Sequence, residues 1–184
     1  MGQYYFDIET SGLDYAEDKI ISIQLQELDR NTGRANGSLI VLKEWESSEK
    51  EILRKFIEIT NILNAYPFTF IPVGYNLRFE HNFLKARTKI NAIPEVDILN
   101  NPFIDLRAIG ILMNKGEFKG SGLDKITGKV ADGSNIPLWY ANKEYNKILS
   151  YVENEAREFI KLNIWLYEKM PKLLWMFKRD AGIA

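Results

Sequence analysis

Cysteine is absent from the 184-residue chain, and histidine occurs once, as His81. The first absence excludes a disulfide framework and a cysteine-ligated zinc site. The second excludes a histidine-rich metal centre. A cysteine-free chain of this size fits an intracellular, cytoplasmic protein and can bury a full core without a covalent staple. No apolar run is long enough to span a bilayer, and no basic segment followed by an apolar run opens the chain. Neither a membrane partner nor a signal peptide is therefore expected. Net charge is missing too: 24 basic against 25 acidic residues leave −1. That balance speaks against tight non-specific duplex binding, which needs a basic surface. It leaves room for a protein that holds a few nucleotides through metal ions, backbone amides and stacking. The length predicts one domain over residues 1–184.

What is present begins at once. Tyr4, Phe6 and Ile8 alternate with Tyr5, Asp7 and Glu9 at the two-residue period of a strand. Asp7 and Glu9 therefore share a face. Two carboxylates side by side repel and are costly to desolvate, so the pair points to a hard divalent cation such as Mg²⁺. The plain alternative is an edge strand with its polar face in water. A second strand is expected over residues 19–28, with Ile21, Ile23 and Leu25 alternating with Ser22, Gln24 and Gln26. A turn-rich stretch over 29–37 and a third strand over 38–42 make a hairpin, and with the first strand a meander.

Ser48 followed three residues later by Glu51 marks a helix start. Ile52, Phe56, Ile59, Ile62 and Leu63 are expected to pack on the sheet, with Pro67 ending the element. Residues 68–74 read as a buried strand. A helix follows with Glu80 on it, by default on its wet face. His81 points about 100° away from Glu80 and is expected to be hydrogen-bonded or solvated. Asp105 ends a short strand and caps the helix that runs to Met113. Residues 115–137 read as a long connection with one short helix near Leu123–Ile126, bordering a substrate groove. A strong helix is expected from Tyr145 to about Lys169, with Tyr151 and Glu155 on one face. Residues 173–177 suggest a short C-terminal helix packed on the fold, or a partner surface.

Three of these stretches carry a resemblance. Asp7-Ile8-Glu9-Thr10-Ser11-Gly12-Leu13 resembles the first motif of the DEDD superfamily of 3′→5′ exonucleases. Gly74-Tyr75-Asn76, with Glu80 four residues on, is similar to the second, where Gly-His-Asn precedes an Asp. Tyr151-x-x-x-Glu155 is similar to the third motif of the tyrosine branch, where Tyr precedes an Asp by four. The likeness runs from about Gln3 to Met170 and is nearest to the exonuclease domain of family B DNA polymerases. It implies an α/β ribonuclease H-like fold, with a mixed sheet of antiparallel meander and parallel strands flanked by helices.

The resemblance also implies an activity: removal of nucleotides from a single-stranded 3′ end, DNA ahead of RNA, with two divalent ions, Mg²⁺ or Mn²⁺. Asp7 would bridge both ions. Glu9 and Glu155 would hold the one carrying the attacking water, Glu80 would orient the other, and Tyr151 would position the water. Thr10 and Leu13 would line the slot for the terminal nucleotide, with Asn76 and Phe79 on its other wall. Glutamate replaces the family's aspartate at 80 and 155, adding a methylene where geometry is exacting. The rival reading is a nuclease-fold module, weak or inactive, that grips nucleic-acid ends or a protein partner.

Overall fold

The first strand, β1 (Gly2–Thr10), alternates apolar and polar residues because each of its faces meets a different layer. The computed structural model describes residues 2–128 and 133–183. β2 (Ile20–Leu28) and β3 (Ile40–Lys43) pair antiparallel beside β1, as the turn-rich segment between them predicts. β4 (Phe70–Gly74) and β5 (Ile104–Asp105) add in parallel on the other side, giving the order β3-β2-β1-β4-β5. The fold is α/β and ribonuclease H-like, with a mixed five-stranded sheet flanked by helices. Pro72 is tolerated inside β4 because β5 pairs only with Val73 and Gly74, beyond it.

On one face, Phe6, Ile8, Ile23 and Leu25 pack against α1 (Glu49–Thr60) and α2 (Leu77–Ile90). The Ser48 hydroxyl accepts from Glu51 N at 3.2 Å, a cap that contributes about 1 kcal/mol. The helix stops at Thr60 because Asn61 turns left-handed (φ 49°), well before Pro67. Its buried arc is Glu49, Ile52, Leu53, Phe56 and Thr60. Ile59 lies at the edge of that arc and Leu63 beyond the helix, so both are exposed rather than packed on the sheet. Ile62 is buried as expected.

A charged network ties this layer together. Glu49 accepts from Arg87 Nε at 2.9 Å, Arg87 Nη2 at 2.8 Å, Asn91 Nδ2 at 2.9 Å and Ile20 N at 2.8 Å. The same arginine donates through Nη1 to Ala16 O at 3.2 Å.

The other face carries α3 (Leu106–Met113), α4 (Leu123–Thr127), α5 (Ile136–Ala141) and α6 (Tyr145–Asp180). Tyr5, Leu28 and Val73 meet Phe159, Leu162 and Leu166 of α6 here. α4 falls where the short helix was expected. α5 was not anticipated: the connection read over 115–137 ends in a helix, and its residues 129–132 lie outside those described. α6 runs through Pro171 without a break, so residues 173–177 continue it rather than forming a separate packed helix. Their side chains are 44–63% exposed, because the buried stripe of α6 ends at Leu166. Among the described residues no helix is long and apolar enough to cross a membrane.

The β1–β2 ladder contains one irregularity. Glu9 pairs with Ser22 but Thr10 pairs with Ile20, so Ile21 is an extra residue in β2. Alternation predicts Ile21 on the face of Ile23. The bulge instead turns it to the α6 side, where it packs with Ile136, Ile148, Tyr151 and Val152.

Candidate active site

Period two puts Asp7 and Glu9 on the α6 side of β1, and spacing of four puts Tyr151 and Glu155 on the side of α6 that faces them. Carboxylate oxygens of Asp7, Glu9 and Glu155 lie within 4.8 Å of one another. Three acceptor-only groups this close form a set that could hold a metal ion. Tyr5, next on the same strand face, places its hydroxyl 3.4 Å from Asp7 Oδ2.

Glu80 is the departure from the wet-face reading. It is only 4% exposed. The β4–α2 turn drives it inward. A Cβ at Gly74 would meet Phe6 O at 2.9 Å, so glycine is needed where the strand turns into the helix. Asn76 then adopts the left-handed region (φ 74°), and its N–H and that of Leu77 donate to Asp105 Oδ1 and Oδ2 at 2.8 and 3.0 Å. Asp105 also caps α3 through Arg107 N at 2.9 Å. One side chain thus anchors two helix starts. Burial first, then the negative charge of Asp7, raise the Glu80 carboxyl well above the usual range. Asp7 is close enough to take a hydrogen bond from the protonated form. Among the described residues, Glu80 Oε2 otherwise has no hydrogen-bond partner. A buried acceptor left over beside a carboxylate cluster is what a cation or its water would satisfy, so the residues fit a divalent ion.

Tyr151 is 7% exposed, with the Trp139 ring edge-on to it at 6.3 Å. Burial first, then the charges of Glu155 and Glu9, push its hydroxyl well above its ordinary value. Burial and the neighbouring carboxylates thus favour the neutral phenol. Gly133 closes over the hydroxyl: a Cβ there would stand 3.2 Å from it.

A cavity of about 240 Å³ opens beside these groups, lined among others by Asp7, Tyr151, Glu155, Tyr75, Asn76 and Arg107. Of the remaining expected site residues, Thr10 is buried and its hydroxyl donates to Gly12 O at 2.5 Å. Leu13 is 84% exposed on the turn after β1. Phe79 packs on Phe83 with ring centroids 4.9 Å apart. Of the four residues expected to wall the slot, Asn76 lines the cavity, and Thr10, Leu13 and Phe79 do not. His81 keeps out of the site, with Nδ1 3.3 Å from Asp97 Oδ1 but off the hydrogen-bond direction.

Sequence reasoning missed Tyr5, Arg107 and Phe159. Tyr5 shares the period of Asp7, and Phe159 continues the four-residue ladder of Tyr151 and Glu155, so both were within reach. Arg107 carries no local signal, because α3 is brought to the cavity by tertiary packing.

A family model described as the RNase H superfamily matches residues 4–167. Among solved structures, the chain is similar to a zinc-bound E. coli ExoI–ssDNA complex, with TM-score 0.62 and 14% identity over 96% of this chain and 43% of that one. It is also similar to an SSB/Exonuclease I structure in complex with inhibitor CFAM, with TM-score 0.51 and 14% identity over 73% of this chain and 38% of that one. At these identities the likeness is one of fold, and the chain spans less than half the length of either. No curated protein matches it.

Proposed function

The chain belongs to the RNase H superfamily, and from that premise we propose that it is a 3′→5′ exonuclease of the tyrosine branch of the DEDD nucleases. It shortens single-stranded 3′ ends, DNA ahead of RNA, with two divalent ions, and residues 1–184 act as one nuclease domain like the exonuclease domain of family B polymerases. The observation that carries this reading is the convergence of Asp7, Glu9 and Glu155, within 4.8 Å, beside the buried Tyr151, with a buried Glu80 against Asp7. The shared fold with a complex that contains ExoI and single-stranded DNA supports it.

Bound at these carboxylates, divalent ions supply a water acidic enough to attack at neutral pH and neutralise charge on the phosphate and leaving oxygen. The chain does the rest. Asp7 and Glu9 come from a central strand and Glu155 from a packed helix, so the ligand set is held by rigid elements. Asp7 would be shared by the two ions, Glu9 and Glu155 would hold one, and Glu80 would serve the other. Burial and the charge of Asp7 raise the Glu80 carboxyl, so a cation held there would compete with a proton. Tyr151, held neutral, orients the attacking water by hydrogen bond and does not take its proton. Asn76, on the cavity lining, flanks the terminal nucleotide, and Thr10, Leu13 and Phe79 would meet it only outside that lining. Glutamate at 80 and 155 reaches further than aspartate, which favours the less demanding Mn²⁺ over Mg²⁺.

The test is a gel of 5′- and 3′-labelled DNA and RNA strands with Mg²⁺, Mn²⁺ or EDTA. A ladder shortening from the 3′ end, dependent on added metal, is expected. Shortening from the 5′ end, or full activity in EDTA, overturns the reading. Tight binding without cleavage in any metal identifies a binding module instead.

A further inference from the structure

Among the described residues, Arg107 is the one cation lining the cavity beside the carboxylates. It is half-buried at the start of α3, and its guanidinium makes no ion pair or hydrogen bond among those residues. The anions around it are already engaged. Asp105 caps the two helix starts, and Asp124 pairs with Lys125 at 3.1 Å. Lys19, Lys85 and Arg87, cations elsewhere in the chain, each have a carboxylate partner within 3.3 Å. A permanently charged fork without a partner among the described residues, lining a cavity that Asp7 and Glu155 also line, asks for an oxyanion.

The geometry points to Arg107 as the binding site for a second phosphate of the substrate strand, next to the one being cut. This inference rests on the nuclease reading. The scissile phosphate belongs at Asp7, Glu9 and Glu155. Asp7 and Glu155 line the same cavity as Arg107, and Tyr75 and Asn76 line it too. A strand that places one phosphodiester at the carboxylates carries its neighbours along this cavity. Guanidinium can hold phosphate with two parallel N–H donors, which fixes the direction of the strand as well as its position. Tyr75 is held in place from behind: its hydroxyl donates to the Ser121 carbonyl. Arg107 touches no reacting atom in this arrangement. It binds substrate and transition state alike, so its loss is expected in KM rather than in kcat.

The experiment is a cycle between the protein and its substrate. Wild type, Arg107→Ala and Arg107→Lys are compared on single strands carrying one neutral methylphosphonate at each of the last four linkages in turn. Arg107→Ala should raise KM about 10- to 100-fold with kcat within about threefold, and Arg107→Lys should lose less. At one linkage the methylphosphonate should weaken the wild type by a similar factor and the alanine variant hardly at all. The salt dependence of strand affinity should also fall by about one phosphate contact. Equal KM for wild type and Arg107→Ala, or penalties that persist in the variant at every linkage, overturns the inference. If the wild type cleaves nothing, the nuclease reading fails. The same cycle is then read in strand affinity with Mn²⁺ present, where coupling at one linkage upholds the phosphate site and absence of coupling refutes it. Thermal midpoints of the variants, expected to match wild type because the Arg107 guanidinium has no partner to lose among the described residues, show that the comparison is between folded proteins.

Discussion

Two buried glutamates, Glu49 and Glu80, sit on helices packed against the same sheet face, and their surroundings differ. Glu49 accepts four hydrogen bonds, two of them from Arg87. Glu80 has a buried oxygen with no partner among the described residues and a second carboxylate, Asp7, beside it. The chain neutralises the first acid itself and leaves the second short of positive charge. A carboxylate that holds elements together is supplied with donors from those elements. A carboxylate kept for chemistry is held in position and left for an incoming cation. Burial alone does not separate the two, since both are under a tenth exposed.

The largest effect should come from removing the acid at the centre of the second region. Asp7→Asn should lower cleavage by about three decades or more, in line with loss of a group that acts as part of a unit. The metal-free thermal midpoint should hold or rise, because like-charge repulsion is relieved. A large fall in that midpoint would place Asp7 with Glu49, among structural acids.

Arg87→Ala makes the reverse test. It leaves Glu49 buried and uncompensated and should cost about 3–5 kcal/mol in denaturant unfolding. Activity per folded molecule should stay near wild type. Loss of turnover with stability intact would erase the distinction between the two sites.

Tyr151→Phe should lower turnover by roughly one to three decades, the worth of one positioned hydrogen bond in the transition state. Metal and strand affinities should change little. Wild-type turnover at saturating metal would remove the role assigned to the hydroxyl.

The smallest effect is in stability. Folding raises the Glu80 pKa, so the folded metal-free protein binds a proton that the unfolded chain releases at its ordinary pKa. That contribution is complete below the ordinary carboxylate range and is lost as pH climbs towards the raised value. Glu80→Gln should therefore raise the metal-free midpoint at neutral and higher pH, on the order of a few degrees, with little change near pH 4. Saturating metal should reverse the order of the two proteins. Parallel melting curves across pH would show that Glu80 is not the protonated group.

Much of this architecture is legible in the residues themselves. The alternation of Tyr4 to Glu9 announces the central strand and which face carries the acids. Ser48 marks a helix start and Asp105 a cap, and both act as such. The partner of Glu80 is not legible. A glutamate one turn into a helix reads as solvated, and only the placement of α2 against β1 buries it. α5 was overlooked although Asn135 and Pro137 are a local start signal, because its start carries no side-chain capping hydrogen bond and it rests on contacts with α6. The exposure of Leu173 to Phe177 defeats the expectation of packing for a plain reason. Apolar composition says that a surface seeks cover, and does not say that this chain provides it.

The extra residue in β2 has a consequence for how the chain tolerates change in length. Deleting Ile21 would make the strand more regular: Ile20 would keep its face, the phase slip would vanish, and every pattern criterion would improve. A member of the apolar cluster that buries Tyr151 would vanish with it. Replacing Ile21 by a smaller residue changes how full that space is, whereas deletion removes its occupant and nothing in the restored rhythm returns it. The phenol that faces the carboxylates is therefore supported by a miscount, one residue more than strict alternation would allow, and a chain corrected for rhythm would lose that support.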